Sequence, residues 1–300
     1  MGHHTIDGII NLDKPQGKTS FQMVALVRKL SGVRKVGHSG TLDPNATGVL
    51  PILIGKATRL ASFLTNSSKT YRAEIEFGRS TTTYDSSGDV TFEGDTSLLT
   101  LKEIETSLER FRGPIQQIPP MYSAIKHQGK PLYHLARTGL EVKRQPRKVH
   151  IYRLETGEWQ NPLLGLEIEC SKGTYVRSLA NDLGQILGCG AHLRGLVRLQ
   201  AGPFHLDQSI SVTELESGFQ NDSWQDFVHP LDTALTNLRV ITFETQEEEN
   251  ITHGRPATLI EERESIDGEL NRAYSSNGKF LALVCYDQKT GLWHPKKVFV

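Results

Sequence analysis

The chain has 300 residues, 37% of them hydrophobic and 23% charged, the balance of an ordinary globular protein with room for more than one domain. No run of 18 or more apolar residues occurs, which argues against a membrane-spanning helix. Lys and Arg number 34 against 34 Asp and Glu, so net charge at first argues against a nucleic-acid partner, yet the charges are unevenly placed along the chain.

The opening Met1-Gly2-His3-His4 lacks a basic stretch followed by a long apolar one, so it does not read as a signal peptide. Ile9 to Leu12 reads as a short strand, followed by a turn at Lys14-Pro15-Gln16-Gly17. Thr19 or Ser20 then caps a helix through about Leu30, closed by Gly32. Leu50 to Ile54 is a buried strand. From Asp13 to Arg59 there are eight basic residues against two acidic ones. Tyr71, Ala73, Ile75 and Phe77 alternate with charged neighbours and form the inner face of a half-buried strand. Thr100 and Glu103 make a capping box. Leu101, Ile104, Leu108 and Phe111 follow at helical spacing, and Gly113 ends that helix.

Residues 114–150 read as a long irregular insert rich in Pro, Gly, Lys and Arg. Between Lys126 and Arg153 lie eight basic residues and three histidines against one acid, Glu141. Tyr122, Tyr133 and Tyr152 are interleaved with them, a pattern suited to RNA backbone contact and base stacking. Leu166, Ile168 and Cys170 alternate as another strand. Thr174 is expected to cap the next helix, with Val176, Leu179, Leu183 and Ile186 on its apolar face. Arg177 falls in the first turn, beside that stripe. A cation is unfavourable at this positive end of the helix dipole unless an anion lies near. A boundary follows near residues 221–237. Leu238 to Phe243, Phe280 to Tyr286 and Lys297 to Val300 then read as strands of a small β-rich appendage. Nine acids against two arginines fall between Glu244 and Glu269.

Most motif-based chemistries are excluded. Cys170, Cys189 and Cys285 form no CxxC pair and read as buried thiols of a reducing cytoplasm, not as zinc ligands. Gly17-Lys18-Thr19-Ser20 lacks the upstream glycine of a phosphate loop, and Gly55-Lys56-Ala57 lacks both that glycine and the hydroxyl. Neither HExxH nor GxSxG occurs. What stands out is Gly37-His38-Ser39-Gly40-Thr41-Leu42-Asp43-Pro44, running on to Ala46-Thr47-Gly48. It sets one carboxylate on a stiff turn, because Pro44 biases Asp43 away from helix and the glycines admit close approach. Taken alone, an Asp-Pro turn of this kind is more readily structural than catalytic.

That stretch, with Val49-Leu50 after it, resembles the signature of the TruB family of tRNA pseudouridine synthases. Asp7-Gly8 through Leu12-Asp13-Lys14-Pro15-Gln16-Gly17-Lys18-Thr19-Ser20 resembles the family's N-terminal motif. Lys69-Thr70-Tyr71 and Lys172-Gly173-Thr174-Tyr175-Val176-Arg177, continuing to Gly184, resemble two further motifs in the same order. The likeness spans about residues 7–236.

The resemblance implies an α/β (α+β) fold, a mixed, mainly antiparallel sheet flanked by helices. Residues 1–236 would be the pseudouridine synthase domain, with an RNA-binding insert at about 117–148. Residues 237–300 would be a reduced PUA-like domain. The implied reaction is isomerisation of the T-loop uridine at tRNA position 55, with the base flipped out of its stack and no cofactor or metal. Asp43 would be the essential carboxylate, Arg177 its ion-pair partner, lowering its pKa, and Tyr71 the ring stacked on the base. His38 would fill the space left by the base, and Leu196 would line the uracil pocket. Tyr175 and Lys14 would supply a pocket wall and a phosphate contact. The implied partner is the tRNA T stem-loop, bound by a cytoplasmic monomer without guide RNA. A non-catalytic RNA-binding protein or tRNA-folding chaperone could use the same basic surface. It would have no need of a carboxylate in the path of an anionic RNA.

Overall fold

The computed structural model describes residues 6–259 and 266–300, so Met1 to His4 and Glu261-Glu262 of the acidic run lie outside the described residues. Local signals set most element ends. Thr19 accepts from the Gln22 amide while the Gln22 side chain accepts from the Thr19 amide, opening the helix Ser20–Ser31. Gly32, at φ 68°, closes it in the left-handed conformation that a residue without Cβ adopts freely. Thr100 and Glu103 form the same reciprocal cap on the helix Leu101–Leu108. That helix stops short of Gly113, which instead opens the strand Gly113–Gln117.

Three expectations are corrected. Thr174 does not cap the helix Val176–Leu187; its hydroxyl donates to the Ser171 carbonyl at 3.0 Å. The helix entrance is held from outside: the Tyr175 amide donates to Gln117 Oε1 at 2.7 Å, and Gln117 Nε2 donates to the Tyr175 carbonyl at 2.9 Å. Ile186 is not on the buried face but 40% exposed, whereas Val176, Leu179 and Leu183 are buried. The insert is also shorter than expected. Its ends belong to the strands Gly113–Gln117 and Arg147–Gln160, and it contains a two-rung hairpin and the helix Leu132–Arg137.

Ten strands form the main sheet. Across its path run Val228–His229, Gly8–Lys14, Thr47–Ile54, Ala191–Ala201, Lys69–Phe77, Leu163–Cys170, Arg147–Gln160 and Gly113–Gln117. Val36–His38 and Phe204–His205 attach beside this path. Every pairing is antiparallel except one: Thr47–Ile54 meets Ala191–Ala201 in parallel, at Val197 opposite Thr47 and Arg198 opposite Gly48.

Burial explains the strand sequences. Ile10, Leu12, Leu50, Ile52 and Ile54 face the helix Ser20–Ser31, while Ile9, Val49 and Leu53 face Leu60, Leu64 and Phe204 on the opposite side. A strand covered on both faces needs a continuous apolar run, and Thr47–Ile54 has one. Leu163–Cys170 is covered on one face and alternates strictly. On the face that carries the Ser20–Ser31 helix, a second cluster packs Ala73, Ile75, Leu166 and Ile168 under Ile104, Leu179 and Leu183. Tyr71 and Leu196 touch both clusters and therefore mark the seam between them.

A four-stranded sheet of Val240–Phe243, Leu270–Ser275, Phe280–Asp287 and Leu292–Val298 makes the C-terminal part β-rich. Leu270–Ser275 had no counterpart among the sequence expectations. This sheet has its own core around Phe243, Leu281, Val284 and Trp293. Leu283 and Phe299 join the cluster behind the main sheet. Lys56 Nζ donates to the Phe299 carbonyl at 2.8 Å, and Lys297 Nζ to that of Arg59 at 2.6 Å.

Candidate active site

The seam opens into a shallow cleft lined by Asp43, Ala46, Asp85, Arg177, Arg194 and Leu196 among others. The loop that carries Asp43 is irregular backbone, and buried polar side chains fix it at three successive places. Arg198 Nη2 donates to the Gly40 carbonyl at 3.2 Å. Ser20 Oγ accepts from the Leu42 amide at 2.9 Å and donates to the Leu42 carbonyl at 3.2 Å. Lys14 Nζ donates to the Pro44 carbonyl at 3.2 Å. The Gly17 amide adds a bond to the same carbonyl at 2.8 Å. The Lys14-to-Ser20 motif and the Gly37-to-Gly48 motif are thus two halves of one support.

Lys14 is fully buried, and its other two donors go to the carbonyls of Pro15 at 2.9 Å and Lys18 at 2.7 Å. An ammonium has three donors, and all three are used. Lys14 is therefore an internal clamp, and the expected phosphate contact is corrected. Burial lowers its pKa to about 8, against the pull of Asp43. Lys69 repeats the device: its ammonium caps the carbonyls of Leu64, Thr65 and Ser67 at 2.7–2.8 Å, and burial lowers its pKa to about 8.

Arg177 is only 4% exposed, deep beneath its helix start. Its Nε sits 2.9 Å from Asp43 Oδ2, and its Nη1 3.5 Å from Asp85 Oδ2. Nη1 also donates to the Thr83 carbonyl at 3.2 Å, and Nη2 to the Tyr122 carbonyl at 2.8 Å. One guanidinium thus ties the Asp43 loop, the turn at 83–85 and the insert together. The two carboxylates answer the electrostatic cost of a cation at a helix N-terminus.

Asp43 keeps 42% of its side chain accessible, yet protein crowds it on the cleft floor. Desolvation there raises its pKa, and Asp85 adds to the rise; Arg177 and Lys14 oppose it. The expected lowering by Arg177 is real as a contribution but loses to burial.

Tyr71 stands in the seam with its phenol against Arg198; burial raises its pKa, and Arg198 works the other way. Tyr175 immediately precedes the helix Val176–Leu187. Burial raises its pKa, and Asp43 is near enough to add to the rise. Leu196 lines the cleft. His38 ends the strand Val36–His38. Its Nδ1 is buried and has no hydrogen-bond partner among the described residues, and burial followed by Arg198 lowers its pKa. The structure thus gathers Asp43, Arg177, Tyr71, Tyr175 and Leu196, and turns Lys14 inward.

Three residues of the site were not among the sequence candidates. Asp85 had a faint signal: its Oδ1 accepts from the Ser87 amide at 3.0 Å, an Asx turn of the kind its Thr/Ser-rich surroundings favour, which leaves Oδ2 for Arg177. Gln117 and Arg198 had none, because their partners are remote in sequence.

Residues 28–176 match the family model described as TruB family pseudouridylate synthase (N terminal domain), and residues 177–236 that described as tRNA pseudouridylate synthase B C-terminal domain. A curated protein of Dehalococcoides mccartyi named tRNA pseudouridine synthase B is 44% identical over 297 residues, 98% of this chain and 97% of its own. A protein of Geobacillus thermodenitrificans with the same name is 38% identical over 98% of this chain and 100% of its own. Another, from Symbiobacterium thermophilum, is 52% identical over 71% of this chain and 72% of its own. Among solved structures, a chain of a Cbf5-Nop10-Gar1 complex is 26% identical with a TM-score of 0.73, covering 98% of this chain and 85% of that one.

Proposed function

The chain belongs to the TruB family of pseudouridylate synthases, and from that premise we propose that it isomerises the T-loop uridine at position 55 of tRNA, using Asp43. The observation that carries this reading is the Arg177–Asp43 pair at 2.9 Å on the floor of the seam. Burial gives the carboxylate a high proton affinity, which makes its ionised form a stronger nucleophile or base. Arg177 keeps that form accessible and fixes which oxygen is free.

The reaction breaks the C1′–N1 bond, turns the uracil and joins C5 to C1′. A proton leaves C5 and one is gained at N1, so atoms balance within the nucleotide. A carboxylate so placed can attack C1′, attack C6 or take the C2′ proton. Everting the base costs roughly a few kcal/mol, which stacking on Tyr71 and contact with Leu196 would offset. His38, at the end of its strand, would occupy the place the base leaves. Tyr175 would close the far wall. Lys126, Lys130, Lys143 and Arg147 of the basic insert would meet the RNA backbone.

We read the chain as a monomeric enzyme acting on tRNA without guide RNA. Relatives matched over nearly their whole length carry the name tRNA pseudouridine synthase B, whereas the Cbf5-Nop10-Gar1 likeness is 26%. The test gives purified chain alone an unmodified tRNA transcript and maps pseudouridine at nucleotide resolution. Product at the T-loop uridine is expected. Binding without product would leave the non-catalytic RNA-binding reading in its place.

A further inference from the structure

Arg198 heads the large side chains that are sealed in the molecule, at 1% exposed. Among the described residues no carboxylate pairs with it, and the neighbour that favours its charge is Tyr71. Burying a guanidinium without a counter-ion is costly, so its place calls for a reason.

Two of its donors have placed acceptors: Nε donates to the Val49 carbonyl at 2.6 Å and Nη2 to the Gly40 carbonyl at 3.2 Å. Tyr71 stands opposite Arg198 on the adjoining strand, its phenol near enough to favour the charge of the guanidinium. Gly40 and Val49 flank the loop that carries Asp43. The backbone allows little slack between them. Gly48 (φ 98°) lies so close that a Cβ there would stand 2.3 Å from the Arg198 carbonyl oxygen. This contact is the one parallel step of the sheet. One planar group therefore ties both flanks of the Asp43 loop and sits across the strand pair from Tyr71.

Resting on the isomerase reading, we propose that Arg198 is a positioning residue that acts through Tyr71, holding the phenol in register with the Asp43 loop. The guanidinium would do so by donating to one lone pair of the phenol oxygen, which directs the phenol's own proton away from Arg198 and toward the bound base. A lysine cannot reproduce this, since a single ammonium on a flexible stem lacks the rigid fork that spans Gly40, Val49 and Tyr71 at once.

The test is a double-mutant cycle on single-turnover rate, with RNA affinity measured in parallel. Arg198→Lys is expected to slow turnover about a hundredfold, the cost of a small misplacement, while leaving RNA affinity and the folded spectrum in place. In a Tyr71→Phe background the same change is expected to add no further loss. Equal losses in both backgrounds, or a matching collapse of affinity, would overturn the proposal. A second measurement needs no activity. Nitrogen-15 signals of the arginine side chains are compared between the wild-type chain and Tyr71→Phe. A displaced Arg198 signal supports the contact, and an unmoved one refutes it, even if Arg198→Lys does not fold. If wild-type chain makes no pseudouridine, the isomerase reading fails on its own, and these signals still decide whether Arg198 holds Tyr71.

Discussion

The cleft and the C-terminal sheet of this chain solve opposite problems. Around the cleft, Lys14, Arg177 and Arg198 are buried and spend their donors on loop carbonyls and carboxylates. In the C-terminal sheet the core is Phe243, Leu281, Val284 and Trp293, and the helix Thr245–Thr252 puts Glu247 in its first turn, where acids suit the dipole. Apolar packing secures an element but tolerates small shifts. Directional bonds from a buried cation cost desolvation and in return fix atoms. Cations are buried at the cleft, where one carboxylate must be held still.

The largest effect expected on this contrast is at its centre. Asp43→Asn should lower turnover by more than about 10⁴-fold, in the range seen when an essential nucleophile or base is lost. RNA affinity, measured by filter binding, should stay near the wild-type value. Stability should move the other way. Asp43 binds its proton more tightly folded than unfolded. Its ionised form therefore costs stability at neutral pH, a cost relieved as pH falls through the folded pKa. Asp43→Asn removes that cost, so its melting temperature at pH 7 should exceed that of the wild type. A fall would make Asp43 a structural turn residue.

Arg177 comes next. Arg177→Met should cost about 10²–10³-fold in turnover, the scale of losing one electrostatic contact at a reacting centre. It also leaves Asp43 and Asp85 facing each other without a cation, so denaturant melts should show a loss of about 3–5 kcal/mol. Arg177→Lys should restore most of the stability but not the turnover, because one ammonium cannot serve Asp43, Asp85, Thr83 and Tyr122 together. Full recovery of turnover by lysine would show that charge alone is needed there.

The same contrast explains what was legible in the sequence. Strand alternation in Leu163–Cys170, a cap at Thr19 or Ser20 and the capping box at Thr100 are local physics, and each was visible; that Gln22 completes a box at Thr19 was not among the expectations. The doubly covered strand Thr47–Ile54 was visible as an apolar run, though not which side each residue would face. The buried cations were not visible. Arg198 lies in the strand Ala191–Ala201, which had no counterpart among the sequence expectations, and what seals it is a register with Gly48, some 150 residues earlier. Thr174 failed as a cap because Gln117 reached the Tyr175 backbone first. Lys14 looked like a phosphate ligand because sequence shows a charge and not its direction. Asp43 itself was found through family resemblance, since an Asp-Pro turn alone is ambiguous.

Lys14 gives a smaller and pH-dependent effect. Its pKa falls from 10.5 to about 8 on folding, with desolvation the main cause. The unfolded chain therefore holds more protons between those values, and wild-type stability should rise with pH across that window. Lys14→Met lacks this gain, so the stability difference should grow in favour of wild type from pH 8 to 10 in urea melts. Turnover should drop by about tenfold, as freeing the Pro44 carbonyl loosens the Asp43 loop without removing a reacting group. An unchanged pH profile would mean that Lys14 is solvated in solution.

The smallest effect belongs to the other side of the comparison. Glu247, Glu248 and Glu249 lie on the C-terminal helix, far in sequence from the cleft, and none of them makes an ion pair among the described residues. Charges that are solvent-exposed and more than a Debye length from a phosphate are largely screened at physiological salt. Changing all three to Gln should leave the rate at saturating RNA unaltered. It should lower KM by less than about threefold at low salt, with the difference vanishing as ionic strength rises. A larger fall in KM that persists at high salt would bring this helix into contact with the RNA, and the C-terminal sheet would then share in substrate recognition as well as in packing.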